Sequence, residues 1–256
     1  MDWRQYDPAI GRFTSIDPLT EARDWLTPYN FVQNNPILRI DPTGLLDDYG
    51  VDQNGKVELI KETDDDTDTL YSVTRDNNGD LVKDQNGEVV KNDTNGDGEV
   101  ADGDSVTVDK GVLNNIENTT YTDPDGITHN IQIMDVTSLE NVQPLFEFMA
   151  DNSINEIAYS EFFTNSKKFI STSFNTNSEQ SMNILFPRYR YLLHHVHSHP
   201  DPYLAPSTGD TTSAGIIKKR TGINTRFEIY SSFLKQYKDY NENSASFELE
   251  EVIITN

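Results

Sequence analysis

The sequence predicts an α+β (α/β-like) protein, in which a mixed sheet with flanking helices follows an acidic segment rich in β-hairpins. Three observations support this fold class. Asn-Gly pairs recur between β-forming residues before residue 110, apolar residues recur at helical spacing over 138–151, and β-branched and aromatic runs follow. With 256 residues, the chain is long enough for one large domain or two ordinary ones.

Charge divides the chain into three segments. The 43 acidic and 20 basic residues give a net charge of −23, made up of −2 over 1–45, −13 over 46–110 and −8 over 111–256. Such an acidic chain disfavours nucleic acid as a partner, because phosphate backbones select basic surfaces. No apolar run approaches the roughly 18 residues that a membrane span needs. The absence of cysteine excludes disulfides and thiolate ligands.

The third segment, 111–256, has the pattern of a globular domain. Apolar spacing predicts a helix over Ser138–Asp151, with Ser138 as N-cap and Pro144 inside it. A second helix is predicted over Asp210–Arg220, with Gly222 just past its end. Strands are predicted at Asn155–Phe163, Lys168–Phe174, Tyr189–His197, Arg226–Ser231 and Phe247–Ile254.

The middle segment, 46–110, repeats a short unit. Its copies are DQNGKV (Asp52–Val57), DNNGDL (Asp76–Leu81) and DQNGEV (Asp84–Val89). Asn-Gly flanked by β-formers is a strong hairpin signal, so the segment is predicted to be a β-rich linker domain made of hairpins.

A fourth copy of this unit, residues 93–104, fits the template of a calcium-binding loop. Alternate residues can direct oxygens at one cation, and Gly98 permits the sharp turn. The loop resembles the dockerin variant of the EF-hand, although its flanks look extended rather than helical. The alternative is a plain acidic hairpin turn, and either role is structural. The candidate calcium ligands are Asp93, Asn95, Asp97, Glu99 and Asp104.

The first segment, 1–45, carries three ordered motifs: YDPAIGRFTSIDP (Tyr6–Pro18), YNFVQNNP (Tyr29–Pro36) and DPTGL (Asp41–Leu45). Together they resemble the end of the RHS repeat-associated core. In that family a β-rich shell encloses a variable C-terminal toxin and is cut just after the DPxGL motif. The resemblance implies an RHS core remnant over 1–45 and a cargo that begins near Leu46.

Four of the five histidines lie within residues 194–199. On a strand alternate residues face one side, so His195, His197 and His199 project together while His194 points away. His129 stands alone in a polar stretch and is expected at the surface.

Two imidazoles and one carboxylate can hold a zinc ion and leave the fourth tetrahedral position for water. His197 and His199 are followed after seven residues by Ser207, and Asp210 comes three positions later. Around a helix start, residues at i and i+3 can both face the metal, with Ser207 offering a donor to a developing oxyanion. The general base should be a carboxylate.

The pattern HxHx7SxxD, within HSHPDPYLAPSTGD, resembles the JAMM motif of the JAB/MPN metallopeptidases, and most closely the JAB-like toxin domains that follow RHS cores. The resemblance covers roughly residues 135–235. It implies a JAB/MPN-like fold for 111–256, with His197, His199 and Asp210 as zinc ligands and Ser207 as the oxyanion-side serine.

The JAMM family also places a glutamate on a strand ahead of the two histidines. Glu156 matches that position and is the preferred base, whereas Glu161 lies on the opposite face of the same strand and is the alternative.

We therefore expect the C-terminal toxin of an RHS polymorphic effector, acting as a zinc-dependent metallopeptidase that hydrolyses amide or isopeptide bonds. Its expected partners are a protein or peptide substrate, the RHS shell and, by family analogy, a cognate immunity protein. The first residues lack a signal-peptide pattern, so we expect secretion or translocation with a larger RHS protein. Two alternatives are a non-enzymatic calcium-binding surface or adhesion module, and a zinc amidase with a non-protein substrate.

Overall fold

The computed structural model describes residues 6–7, 12–13, 47–62, 67–98, 100 and 104–246. In the first segment, strands β1 (Tyr6–Asp7) and β2 (Arg12–Phe13) pair antiparallel. The rest of the RHS-like segment and the predicted closing strand Phe247–Ile254 lie outside the described residues. Contacts divide the chain into two compact units. Of the described residues, the first unit contains those up to 50 and those within 58–114, and the second contains 51–57 and 115–246.

A four-stranded sheet is formed in the order β4-β3-β5-β6. Residues 74–92 extend from it through isolated bridges that join Arg75 to Leu81 and Lys83 to Val89. The strands are β3 (Asp47–Asp52), β4 (Val57–Lys61), β5 (Thr67–Val73) and β6 (Ser105–Asp109).

The repeated sequence unit forms a repeated turn, which confirms the hairpin prediction. In each copy one aspartate oxygen accepts the backbone N–H groups two and four residues on, at 2.8–3.1 Å, and the intervening glycine has φ of 83–87°. The turn therefore needs an aspartate at its start and a glycine at the left-handed position. The aspartates of the three copies are Asp52, Asp76 and Asp84, and Asp123 forms the same turn outside the repeat.

The second unit contains a seven-stranded sheet in the order β13-β12-β11-β9-β10-β8-β7. Its described pairings are antiparallel except β11 with β12, which are parallel and connected through a helix, as a parallel pair requires. The strands are β7 (Ile116–Thr122), β8 (Thr128–Asp135), β9 (Ile157–Phe162), β10 (Lys168–Ser173), β11 (Leu192–His199), β12 (Arg226–Ser231) and β13 (Gln236–Tyr240).

Helices flank this sheet, as predicted for the fold class. They are α1 (Gln143–Asp151), α2 (Met182–Arg188) and α3 (Thr208–Thr221). Leu185 of α2 and Ala214 and Ile217 of α3 join one buried apolar cluster with Phe227 and Ile229 of β12.

Helix α1 begins at Gln143, so the predicted start at Ser138 is wrong. Val142 is the N-cap residue and makes no side-chain capping bond. Pro144 lies in the first turn, where its missing N–H leaves no helical hydrogen bond unmade. The proline therefore marks the beginning of the helix instead of interrupting it.

His129 is buried, which corrects its expected surface position. Its Nε2 lies 3.1 Å from Asp123 Oδ2 and its Nδ1 lies 3.0 Å from Thr176 Oγ1. Two side-chain partners thus satisfy both ring nitrogens, so the imidazole can be buried at low cost.

Replacement of Gly55 tests how closely its turn packs in the second unit. At Gly55 (φ 83°) an added Cβ would lie 2.6 Å from Ile157 Cδ1, whereas at Gly126 (φ 85°) it would meet nothing within 4 Å. Both alanine variants should lose about 1–2 kcal/mol through the left-handed backbone, and Gly55→Ala about 1–3 kcal/mol more through overpacking. Urea unfolding measures both, and equal losses would contradict the packing argument.

Candidate metal centre

The candidate site lies where strands β11 and β12 end. His199, the last residue of β11, is in register with Ser231, the last residue of parallel β12. Both strands therefore end at the same edge of the sheet, and the carboxyl ends of parallel strands are the usual place for a ligand in such sheets.

Strand alternation brings His195, His197 and His199 to one face of β11, as predicted. His195 belongs to the packing rather than to the metal cluster: its Nδ1 lies 2.9 Å from Ser160 Oγ, and its ring packs edge-on against Phe227. Burial lowers the pKa of His195 to about 3, which keeps this imidazole neutral. His197 and His199 meet through their Nε2 atoms, which are 3.2 Å apart.

The start of helix α3 places Asp210 beside His197, and Ser207 precedes the helix. Ser207 is the N-cap residue, and its hydroxyl accepts the N–H of Asp210 at 3.2 Å. Asp210 Oδ2 accepts both the N–H of Ser207, at 2.7 Å, and its hydroxyl, at 2.8 Å. This reciprocal capping box holds the carboxylate so that Oδ2 lies 3.4 Å from His197 Nε2.

Glu156 comes directly before β9 and faces the histidines. Its Oε1 lies 3.9 Å from His199 Nε2, and its Oε2 accepts the backbone N–H of Glu179 at 3.0 Å. The next residue, Ile157, donates its N–H to Ser198 Oγ at 2.9 Å, so the strand that carries the histidines also holds the backbone beside Glu156.

Glu161 lies on the other face of the sheet, where it accepts a hydrogen bond from Tyr159 at 3.3 Å. That face has a groove of about 520 Å³ lined by Glu161, His194 and Glu228 among others. Glu161 is therefore kept away from His197 and His199 by the sheet itself. The site is defined by converging ligand atoms and not by the volume of a cavity.

The donor types suit a zinc ion, and one ligand atom from each of Glu156, His197 and His199 lies within 4.8 Å of the others. Ligand atoms about 2.0–2.1 Å from a tetrahedral zinc lie about 3.3–3.4 Å from one another. The 3.2 Å between the two Nε2 atoms and the 3.4 Å between His197 Nε2 and Asp210 Oδ2 are close to this value. His199 Nδ1 donates to the carbonyl of Tyr203 at 2.9 Å, so the Nε2 of the neutral ring carries a lone pair for a metal.

The electrostatics of the site favour a cation. Burial by itself raises the pKa of Asp210, but hydrogen bonds from His197 and Ser207 outweigh it and lower this pKa well below its ordinary range, so the carboxylate stays ionised. Burial raises the pKa of Glu156 to about 7, a value suited to a group that takes and returns a proton near neutral pH.

The calcium-type loop brings three of its candidate ligands together. One carboxylate oxygen from each of Asp93, Asp97 and Asp104 lies within 4.8 Å of the others. Asp104 is buried and accepts the N–H groups of Thr94 and Asn95, and Asn95 Oδ1 accepts the N–H of Asp97 at 2.9 Å. Glu99, the remaining candidate, lies outside the described residues.

Comparison with known proteins gives one family match, and it covers the candidate site. Residues 134–220 match the model of the family described as JAB-like toxin 1. The matched stretch contains Glu156, His197, His199, Ser207 and Asp210, so the part of the chain that carries the candidate site is similar to JAB-like toxins. No curated protein and no solved structure gives a significant match to the chain.

Among the described residues, no helix is both long and apolar enough to cross a membrane. The association with an RHS shell stays a prediction, since the family match covers 134–220 only.

Sequence reasoning missed two residues that hold Glu156, namely Ser198 and Glu179. Ser198 is the middle residue of the HxH motif, and the motif treats it as a variable position. Glu179 lies in a polar stretch where no spacing marks it. Only their tertiary contacts give them a role.

Ser198→Ala should destabilise the domain because it leaves the buried N–H of Ile157 without its partner. We expect a loss of about 1–3 kcal/mol in the free energy of unfolding. Ser232→Ala, which removes a hydroxyl 3.4 Å from the His199 carbonyl in a partly exposed loop, is the control and should cost less than about 0.5 kcal/mol. Thermal unfolding measures both variants. Equal losses of stability in Ser198→Ala and Ser232→Ala would contradict the claim that the Ser198 hydroxyl stabilises the domain through the Ile157 N–H.

Proposed function

We propose that the JAB-like domain is a zinc-dependent hydrolase toxin that cleaves amide or isopeptide bonds in a protein or peptide. One observation carries this proposal: His197 Nε2 lies 3.2 Å from His199 Nε2 and 3.4 Å from Asp210 Oδ2, and Glu156 Oε1 lies 3.9 Å from His199 Nε2. A structural zinc site would have four protein ligands, whereas three ligands with an adjacent carboxylate are typical of a catalytic site.

A zinc ion bound by His197, His199 and Asp210 would supply a water of pKa roughly 7 and polarise a substrate carbonyl. Glu156 is the general base in this proposal. Its Oε2 is engaged by the N–H of Glu179, so Oε1 is the oxygen that accepts a proton and later returns it to the leaving amine. The N–H and hydroxyl of Ser207 donate to Asp210 in the capping box and favour its ionised form.

Ser207 has two roles in this proposal. Its hydroxyl donates to Asp210 at 2.8 Å, so its first task is to orient that carboxylate. To support an oxyanion, as the JAMM resemblance implies, the hydroxyl would exchange Asp210 for the substrate oxygen. A rotation about one side-chain bond achieves this exchange, because the backbone N–H of Ser207 still holds Asp210 at 2.7 Å.

The biological setting follows from the sequence resemblance. We propose that the domain is the cargo of an RHS effector, delivered with its shell to a target cell, and that an immunity protein protects the producer. The RHS-like motifs before residue 46 support the first part of this proposal, and the toxin family supports the second.

Metal content and toxicity test the proposed function. The wild-type chain should bind one zinc ion, and His197→Ala and Asp210→Ala should lose it. Glu156→Gln should keep the zinc but lower hydrolysis about 10²–10⁴-fold and relieve growth inhibition, because it removes the base only. Elemental analysis and growth on induced expression provide the two measurements.

Glu161→Gln is the matched control for these variants, because Glu161 lies on β9, five residues after Glu156, but on the opposite face of the sheet. It should keep both zinc and toxicity. Toxicity that survives Glu156→Gln would sink the mechanism, and zinc bound without any toxicity or hydrolysis would favour the non-enzymatic alternative. Hydrolysis of peptidoglycan fragments but not of peptides would favour the zinc amidase.

We also propose that the loop at residues 93–104 binds calcium as a structural ion. Terbium luminescence should report binding to the wild-type chain, and Asp93→Ala or Asp104→Ala should weaken it at least about tenfold through loss of a charged ligand. Asp76→Ala alters the related turn of a repeat without the acidic cluster and should leave binding unchanged. Equal weakening by all three variants would contradict a specific site.

A further inference from the structure

A loop between β10 and α2, residues 174–181, contacts the candidate base through its backbone. The N–H of Glu179 donates to Glu156 Oε2 at 3.0 Å. A hydrogen bond to one carboxylate oxygen limits rotation of the group, so this contact decides which oxygen of Glu156 faces His199. The direction of the Glu179 N–H then depends on whatever holds the loop.

The side chain of Glu179 holds its own loop. Its Oε1 accepts the N–H of Ser181 at 2.7 Å and lies 3.4 Å from the hydroxyl of Ser171, which is itself 2.6 Å from the hydroxyl of Ser181. Ser171 is 1% exposed and Ser181 is 0% exposed. A polar network this buried is stable only when its members are paired, so loss of one member disturbs the others.

Strand β10 supplies the fixed end of this network. Ser171 and Ser173 alternate on one face of β10, and Ser173 Oγ accepts the N–H of Gln180 at 2.9 Å. The two backbone N–H groups that follow Glu179 are thus both tied, one to Ser173 and one to the Glu179 carboxylate. These two bonds fix the backbone that directly follows Glu179, and the N–H of Glu179 itself points at Glu156.

We propose that Glu179 is a positioning residue for Glu156. Its carboxylate, with Ser171 and Ser181, fixes the loop so that the backbone N–H engages Oε2 and leaves Oε1 directed at His199, 3.9 Å away. The inference rests on the proposed function of Glu156 as base. It goes beyond that proposal because Glu179 belongs to no motif and touches none of the proposed zinc ligands through a described hydrogen bond or ion pair.

Three variants test this role in the full chain. Glu179→Ala removes the acceptor of the Ser181 N–H, whereas Glu179→Gln keeps a carbonyl oxygen that can still accept it. Ser171→Ala removes a hydroxyl from the network without touching Glu179. Glu140→Ala, at an exposed glutamate outside the network, is the matched control.

Two measurements are made on each variant. Hydrogen–deuterium exchange of the peptide that contains residues 174–181 reports the loop directly and requires neither zinc nor a substrate. Hydrolysis, or growth inhibition where the substrate is unidentified, reports the base, and zinc content is measured alongside it.

We expect exchange at residues 179–181 to be about tenfold faster in Glu179→Ala, intermediate in Ser171→Ala and near wild type in Glu179→Gln and Glu140→Ala. Activity should fall about 10–100-fold in Glu179→Ala, with one zinc ion still bound, and should recover in Glu179→Gln. Rescue by the glutamine distinguishes positioning from a general loss of stability.

Unchanged exchange in Glu179→Ala overturns the proposal, and so does faster exchange with full activity. If Glu179→Ala does not fold, Ser171→Ala is compared with wild type by the same two measurements. Faster exchange with lower activity then supports the proposal, and unchanged exchange or full activity overturns it. If the wild-type chain has no activity that depends on Glu156, the proposed function has failed. The remaining structural claim is then supported or overturned by whether Glu156→Ala speeds exchange of the Glu179 N–H.

Discussion

The capping of helix α3 is the interaction on which the candidate site depends. Ser207 and Asp210 satisfy each other's backbone N–H groups, as the start of a helix requires, and the same carboxylate then meets His197 at 3.4 Å. A helix N-terminus also favours a negative charge. The capping box therefore fixes the carboxylate that is proposed to bind a metal, which ties the position of this candidate ligand to the stability of the helix.

The sheet separates two chemical environments. On one face of β11 and β9, His197, His199 and Glu156 converge near the strand ends, while His195 packs against Phe227. On the other face, His194 pairs with Glu228 at 2.6 Å and Glu161 with Tyr159. Adjacent residues of one histidine run thus have different tasks, because strand alternation assigns them to opposite faces.

Much of the fold was predictable because it depends on local patterns. The Asn-Gly turns, the mixed sheet and the end of α3 at Gly222 followed from turn chemistry and periodicity. Helix α2 was not predicted, since it has seven residues and contains Pro187. Its position depends on the burial of Leu185 in the core, and no short window of sequence reports such a contact. The predicted surface position of His129 was wrong for the same reason, because its burial depends on contacts with Asp123 and Thr176. The predicted start of α1 was wrong for a local reason, since Pro144 lies in the first turn of the helix.

The sequence by itself determined which groups can do chemistry: a spaced set of two imidazoles, a hydroxyl and a carboxylate, together with two glutamates on opposite faces of one strand. Only the tertiary structure decided which glutamate faces the histidines, because that depends on the pairing of β9 with β11. Likewise, only the structure brought Ser198 to the backbone N–H of Ile157 and Glu179 to the carboxylate of Glu156. These contacts join residues 41 and 23 positions apart, and such long-range hydrogen bonds leave no periodic trace in the chain.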